Sequence, residues 1–215
     1  PVVAGPAGMA LGGGCEICLH ADAIQAHAEL YMGLVEVGVG LIPGWGGSKE
    51  MILRNVEKKK RPGGPIPPVG EAFQTIGLAK GSKSAAEARD LLFLLEKDSI
   101  TMNRRRVLAD AKSKVLELAP AYTPPEKNLE LSLPGPTARV ALEMVVSDLA
   151  KSGKATPHDV TVSNELATIL SGGDTDVTEV VTEKDLLELE REAMARLLQM
   201  PPTLDRIEHM LATGK

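Results

Sequence analysis

Residues 8–47 read GMALGGGCEICLHADAIQAHAELYMGLVEVGVGLIPGWGG, and this stretch decides the expected fold. Three consecutive glycines, residues 12–14, come directly before a short run that is predicted to be helical. The first N–H groups of a helix have no partner within the helix, and glycine lets a ligand approach them without a Cβ in the way. The triplet therefore suits a backbone N–H that holds an anion or a developing oxyanion. The alternative is a tight turn that only allows close packing of the helix on a sheet.

Two glutamates accompany the glycines. Glu16 falls in the first turn of the predicted helix, where a carboxylate interacts favourably with the helix dipole. Glu36 lies among Leu34, Val35 and Val37, where burial of a charge is costly unless it has a partner. Two acids in an apolar pocket, close to an oxyanion-stabilising N–H, can divide general-acid and general-base work. The alternatives are a dipole interaction alone for Glu16 and a surface position at a strand edge for Glu36.

Composition excludes several classes of function. The chain has 215 residues, 43% hydrophobic and 25% charged, which is typical of a globular protein. Aromatic residues make up 2%, so the core must be aliphatic and stacking platforms for bases are nearly absent. The net charge is −5 and no basic stripe is present, so nucleic acid is not an expected partner. No apolar run is long enough for a membrane span and no signal peptide is visible, so we expect a cytoplasmic protein with no membrane partner.

Three further motifs in this stretch are interpreted as structural. Cys15 and Cys18 form a C-x-x-C pair near His20, but the context of a thioredoxin motif and a second pair of zinc ligands are both missing. We interpret the cysteines as small apolar residues on a buried helix and predict no metal site. Pro43 stands where a dinucleotide-binding motif needs a small residue, and residues 44–48 lack the lysine of a phosphate-binding loop.

The opening stretch resembles the signature of the crotonase superfamily, the enoyl-CoA hydratases and isomerases. The likeness runs through the turn A-L-G-G-G-x-E, the A-D pair after it, the block G-L-x-E-V-G-x-G-x-I-P-G-x-G-G, and the spacing between the two acids. It is strong over residues 1–56 and looser beyond them. The resemblance implies an α/β fold, in which part of a crotonase-type ββα spiral is followed by a mostly helical C-terminal region.

The resemblance also implies roles for individual residues. The backbone N–H of Gly13 would be one of two oxyanion-hole donors to the thioester carbonyl. Glu16 and Glu36 match the two catalytic glutamates that position and deprotonate water and protonate the α-carbon. The N–H of Gly44 would help to hold the catalytic water. Trp45 stands where a small residue is usual, and it is expected in the acyl pocket or against a neighbouring subunit.

Both acids are present, which favours a hydratase. The implied function is the enoyl-CoA hydratase module of fatty-acid β-oxidation, which adds water to trans-2-enoyl-CoA. Hydration needs no cofactor, because the CoA thioester is itself the substrate. Two alternatives stay open: an enoyl-CoA isomerase of the same fold, and a non-catalytic helical association module in which Glu36 is exposed.

Other parts of the chain depart from a simple hydratase. The family domain begins well before Pro1, so we expect the other oxyanion donor to lie outside this chain and the chain alone to be inactive. The tail that ends in RIEHMLATGK is similar to the C-terminal region of fused 3-hydroxyacyl-CoA dehydrogenase/enoyl-CoA hydratase proteins. The resemblance therefore implies NAD only in a dehydrogenase domain outside this chain. Expected partners are acyl-CoA, further copies of the chain, or the dehydrogenase domain docked on it.

Two Pro/Gly-rich stretches, residues 61–70 and 119–136, divide the chain. They predict a crotonase core segment at 1–62, the remaining crotonase-like helices at 63–122, and a helical C-terminal region at 123–215. Basic clusters at residues 57–61 and 103–114 are interpreted as solvated faces, with contact to CoA phosphates as the alternative.

Capping patterns and periodicity place the secondary structure. Predicted N-cap residues are Ser84, Thr156 and Thr182. Residues 22–28 alternate apolar and polar side chains as in a half-buried strand, and residues 101–120 are predicted to form one long amphipathic helix. Everything past the second stretch is predicted to be helical. One buried stripe is predicted on the penultimate helix: Leu186, Leu189, Ala193, Leu197 and Met200.

Overall fold

The glycine triplet opens a helix, as predicted. A computed structural model describes residues 1–58, 64–125 and 130–214, and its first helix, α1, is Gly13–Leu19. Gly12 has a φ of 55°, a left-handed conformation that favours glycine. Its N–H donates to the carbonyl of Gly33 at 2.9 Å. The chain can therefore turn from a strand into α1 within a single residue.

Short parallel strands surround this turn. Over the described residues, β1 to β7 are Val3–Ala4, Met9–Leu11, Ala23–His27, Tyr31–Gly33, Ser99–Thr101, Glu130–Leu131 and Val181–Thr182. Strands β1, β3 and β5 form a parallel sheet in the order β1-β3-β5, and β2 pairs with β4 in parallel. Parallel neighbours need crossover connections, and α1 lies in two of them: the segment from β1 to β3 and the segment from β2 to β4.

Helices make up most of the remaining structure. Helices α2 to α9 are Gly47–Lys58, Ile66–Gly77, Ala85–Asp90, Val107–Leu118, Pro136–Lys151, Pro157–Ser171, Glu183–Leu197 and Pro201–Thr213. The three predicted N-caps are confirmed, because Ser84, Thr156 and Thr182 each accept a hydrogen bond from a backbone N–H three residues on. The stripe on α8 is confirmed at Leu186, Ala193 and Leu197, which are buried.

Three local predictions are wrong. Strand β3 is buried along its whole length, because α5 packs against β1 and β3. The predicted long helix over 101–120 starts only at Val107, after β5 and a 3₁₀ turn at Arg104–Arg106. The region past the second Pro/Gly-rich stretch also contains a strand, β7, which pairs antiparallel with β6 inside that stretch. Two-residue strands that pair over a long separation carry no period in the sequence, so they were missed.

The chain forms two compact units. The sheet unit comprises residues 1–34 and 80–127, and the helical unit comprises residues 35–79 and 128–215. Each unit is built from two separate stretches of the chain. The division predicted at 1–62, 63–122 and 123–215 stays a prediction. Residues 59–63 and 126–129, which include parts of both predicted linkers and of the first basic cluster, lie outside the described residues.

Helix α7 is central to the helical unit. It contacts α2, α3, α6 and α8, and Leu166, Ile169 and Leu170 on it are fully or almost fully buried. Its N-terminus carries the capping box of Thr156 and Asp159, and Gly172 ends it in a left-handed conformation. The segments that bear Glu36, Gly44 and Trp45 belong to this unit.

The sheet unit contains a close approach of two backbones. A Cβ added to Gly33 would lie 2.9 Å from Cα of Gly81 and 3.1 Å from the carbonyl oxygen of Lys80. Both neighbours are backbone atoms, which cannot move aside as a flexible side chain can. Gly33 also accepts the hydrogen bond from Gly12, so the start of α1 depends on its position.

Gly33→Ala is expected to lower the free energy of unfolding by about 1–3 kcal/mol, because the methyl group overpacks this backbone contact. Urea denaturation of the full-length protein measures the change. Gly14→Ala is the matched control in the same unit, because nothing lies within 4 Å of an added Cβ there. Alanine in place of a helical glycine stabilises by about 0.5–1 kcal/mol. Equal losses in both variants would contradict the close approach.

Candidate active site

Gly13 and Gly14 open the N-terminus of α1 to solvent. Both residues are exposed, and a Cβ added to either would meet no atom within 4 Å. The first hydrogen bond of the helix runs from the N–H of Glu16 to the carbonyl of Gly12 at 3.0 Å. The N–H of Gly13 precedes this bond, at the positive end of the helix dipole. This terminus has the chemistry of an oxyanion donor.

Glu16 lies on the opposite, buried face of the same turn. Its side chain is 2% exposed, although it belongs to the first turn of a helix that starts in solvent. A buried carboxylate close to the N–H groups of a helix is stabilised by the dipole. The structure therefore places an acid directly beside the open backbone of the glycine triplet, within one unit.

The cysteines of the C-x-x-C pair are buried on α1, as predicted from the sequence. Cys15 and Cys18 form no disulfide, and burial raises the pKa of the Cys18 thiol above its usual value. His20 ends the helix, with Nδ1 at 2.8 Å from the carbonyl oxygen of Glu16, so Nδ1 carries the proton in this contact. Within residues 1–58, 64–125 and 130–214, no three His, Cys, Asp or Glu side chains form a group that could hold a metal ion.

Glu36 begins a 3₁₀ turn, Glu36–Val39, in the helical unit. Both carboxylate oxygens are screened from solvent, although the residue as a whole is half-buried. The alternative that made Glu36 a surface acid at a strand edge is wrong, because the segment is not a strand and the oxygens are buried. The sequence did predict the apolar surroundings from Leu34, Val35 and Val37.

Two distant helices hold the end of this turn. The hydroxyl of Thr203, at the start of α9, donates to the carbonyl of Gly40 at 3.0 Å. The hydroxyl oxygen of Thr203 also lies 2.8 Å from Nε2 of His158 on α7. A threonine hydroxyl has one proton, which goes to Gly40, so Nε2 of His158 must be the donor in the second contact. Thr203 is fully buried, and the sequence carried no signal that would have found it.

Cavities flank the turn on two sides. One, of about 260 Å³, is lined mainly by apolar side chains of the turn, α6 and α7, among them Val37, Val146, Leu149 and Val162. The other, of about 420 Å³, lies between Val39 and the side chains of Arg206, His209 and Met210 on α9. Gly38 borders both cavities. The backbone that carries Glu36 is thus accessible from two directions within the helical unit.

Gly44 and Trp45 lie in the loop that leads into α2. Trp45 is 78% exposed, and the prediction that it contacts an acyl chain or another subunit stays a prediction. The loop is attached to α8, because the N–H of Gly46 donates to Oε1 of the buried Glu190. The sequence did not predict Glu190, since a glutamate between two apolar positions of a stripe looks like a member of the acidic outer face.

The predicted site residues therefore fall into two groups. Gly13 and Glu16 are adjacent in the sheet unit, and Glu36, Gly44 and Trp45 belong to the helical unit. The first group has an exposed glycine at a helix N-terminus beside a buried acid, and the second has a screened carboxylate and a glycine turn. That the two groups converge on one substrate stays a prediction.

Solved structures define the fold. The chain is similar over its whole length to 60% of a carnitinyl-CoA hydratase from Mycobacterium avium, with a TM-score of 0.56 and 18% identity. An enoyl-CoA hydratase from Mycobacterium avium subsp. paratuberculosis K-10 is matched over 99% of this chain and 63% of that one, with a TM-score of 0.52 and 18% identity. At these identities the likeness concerns the fold alone. The chain has the mixed α/β crotonase fold with a helical C-terminal region.

Sequence relatives extend this result. The chain is 42% identical over its whole length to a Bacillus subtilis protein described as a probable 3-hydroxyacyl-CoA dehydrogenase, of which it spans only 27%. A stretch of 51 residues is 45% identical to a short-chain-enoyl-CoA hydratase of Clostridium acetobutylicum and covers 24% of this chain and 20% of that protein. No family model matches the chain. In fold and in sequence, the chain is thus similar to crotonase-fold hydratases and to a probable 3-hydroxyacyl-CoA dehydrogenase.

The described part of the chain has no helix with both the length and the apolar character of a membrane span.

His158 makes the stability of the helical unit depend on pH. Burial lowers the pKa of its imidazole, the charge of Arg206 lowers it further, and Asp159 opposes part of this effect. As the pH falls, His158 of the unfolded chain binds a proton near its ordinary pKa of 6.5, whereas His158 of the folded chain binds one only at lower pH. The stability that neutral His158 contributes to folding is therefore complete above pH 6.5 and is lost as the pH falls toward the folded-state pKa.

We expect the urea midpoint to fall as the pH is lowered from about 7.5 to about 5. His158→Gln keeps an N–H donor for Thr203 but does not titrate, so its midpoint should change less over this range. Denaturation at a series of pH values, on both proteins, measures the difference. Parallel curves for wild type and variant would show that His158 is not the titrating group.

Proposed function

We propose that the chain is part of the enoyl-CoA hydratase module of a fatty-acid β-oxidation enzyme. The observation that carries this proposal is the start of α1, where the open backbone of Gly13 and the buried carboxylate of Glu16 occupy one helical turn. Likeness to crotonase-fold hydratases and to the Bacillus subtilis relative supports it. The substrate would be a trans-2-enoyl-CoA thioester and the product a 3-hydroxyacyl-CoA.

The chemistry follows from these groups. The N–H of Gly13 donates to the thioester oxygen and stabilises the negative charge that develops there when water adds to the β-carbon. One glutamate takes the proton of the attacking water, and the α-carbon receives a proton as the enolate collapses. Glu16 and Glu36 share these two steps, and the N–H of Gly44 holds the water. No cofactor takes part, because every bond change is a proton transfer or the addition of water.

The whole protein extends beyond this chemistry. The Bacillus subtilis relative is much longer than this chain, and its name supports a fusion of the hydratase with a 3-hydroxyacyl-CoA dehydrogenase. NAD would bind in that other domain and would oxidise the 3-hydroxyacyl-CoA that the hydratase releases. The exposed Trp45 supports an assembly in which another subunit or domain covers this loop. The proposed compartment is the cytoplasm.

In the full-length protein, Glu16→Gln and Glu36→Gln are each expected to lower kcat for hydration of crotonyl-CoA by about 10²–10⁴-fold, because an amide cannot take the proton. Spectrophotometric loss of the enoyl thioester measures the rate. Glu29→Gln is the control, because Glu29 is an exposed acid of the sheet unit. Near-normal turnover in either variant would end the assignment of two acids. Conversion of 3-enoyl thioesters without hydration of 2-enoyl thioesters would identify an isomerase.

A further inference from the structure

One acid on the buried face of α8 needs an explanation. Glu190 is 1% exposed and lies on the same side of the helix as Leu186, Ala193 and Leu197. A carboxylate in such a position is unfavourable unless hydrogen bonds or opposite charges compensate its lost hydration. The N–H of Gly46 donates to its Oε1 at 2.5 Å, a short bond to a charged acceptor. The backbone of the glycine turn is thus one of the groups that hold this carboxylate.

A second contact lies one turn further along α8. A Cβ added to Gly44 would lie 2.5 Å from Cε of Met194, which is four residues after Glu190. Residues four apart lie on the same face of a helix, so α8 contacts the turn at two points, on either side of the exposed Trp45. Residues four apart are separated by about 6 Å along the helix axis, so the two contacts restrict the orientation of the peptide units between them as well as their position.

The attachment of α8 to α2 does not depend on Glu190. Lys49, in the first turn of α2, is 4% exposed and pairs with Glu183 of α8 at 2.9 Å and with Glu50 at 2.7 Å. Burial lowers the pKa of Lys49, but its hydrogen bonds and charge interactions with Glu50 and Glu183 outweigh this and raise it overall. The lysine therefore stays charged, and α2 and α8 keep a separate connection when the carboxylate of Glu190 is removed.

The turn itself has little intrinsic order. Three of its four residues, Gly44, Gly46 and Gly47, are glycines, which lose the most conformational freedom when a chain becomes ordered. A backbone N–H can hold a reacting water only if its direction is fixed, and a displacement of about 1 Å costs on the order of 10²-fold in rate. An external anchor is therefore required if Gly44 is to act on the water.

We propose that Glu190 is a positioning residue, which anchors Gly46 so that the N–H of Gly44 points at the catalytic water. The inference rests on the proposed function, since it assigns a purpose to the water-holding turn of that reaction. In this role Glu190 accepts a hydrogen bond from the backbone of Gly46 and takes no part in proton transfer. Met194 completes the anchor from the other side of Trp45.

The test uses Glu190→Ala and Glu190→Gln in the full-length protein. In Glu190→Ala we expect kcat for crotonyl-CoA hydration to fall by about 10-fold or more while KM stays within about twofold, because the turn holds water and not the thioester. Amide hydrogen exchange of residues 44–48 should accelerate, with the rest of α8 unchanged. Glu190→Gln should recover part of the wild-type kcat and part of the protection from exchange, because its amide oxygen can still accept a hydrogen bond from the N–H of Gly46. Glu188→Gln, an exposed acid of α8 paired with Arg191, is the control.

Wild-type kcat and exchange in Glu190→Ala would overturn the inference. A loss of kcat with an equal rise of KM and faster exchange throughout α8 would also overturn it, since it would show a structural role only. If Glu190→Ala does not fold, the same comparison is made with Glu190→Gln. If the wild-type protein hydrates no enoyl thioester, the proposed function is refuted, and the role of Glu190 in positioning the catalytic water is refuted with it. Exchange at residues 44–48 would then report separately on whether Glu190 anchors the turn.

Discussion

The hydrogen bond from the N–H of Gly12 to the carbonyl of Gly33 is the contact on which the sheet unit depends. It joins the residue before α1 to the last residue of β4, and it depends on the left-handed conformation of Gly12 and on the absence of a Cβ on Gly33 in the narrow space beside Gly81. The open N–H of Gly13 and the buried side chain of Glu16 both follow from this turn. Here a steric constraint on the backbone creates the chemistry of the candidate site.

In the helical unit, too, the candidate site residues depend on contacts made by the backbone around them. Its functional segments are a 3₁₀ turn and a glycine loop, and neither has enough local structure to be rigid. Thr203 holds the first through Gly40, and Glu190 holds the second through Gly46. Helices far along the chain thus orient backbone groups near the candidate site. Under the proposed function, the C-terminal helices would therefore position site residues of the helical unit.

Sequence patterns located the local features well. The glycine triplet, the three N-caps and most of the stripe on α8 were predictable, because each depends on residues within one or two turns. The fully buried β3 and the pairing of β6 with β7 were not predicted. β3 is covered in part by α5, which lies far along the chain, and β6 pairs with β7 across about fifty intervening residues, so neither feature leaves a local period.

The sequence by itself predicted the α/β fold, through its resemblance to crotonases, and the start of α1, because a tight turn into a helix demands glycine at particular positions. Only the tertiary structure decided that both oxygens of Glu36 are buried, that Thr203 and His158 hold its turn, and that Glu190 faces inward. The bonds from Thr203 to Gly40 and from Gly46 to Glu190 join residues more than a hundred positions apart. A hydrogen bond of that kind requires only a donor and an acceptor in place, so it leaves no pattern in either segment alone.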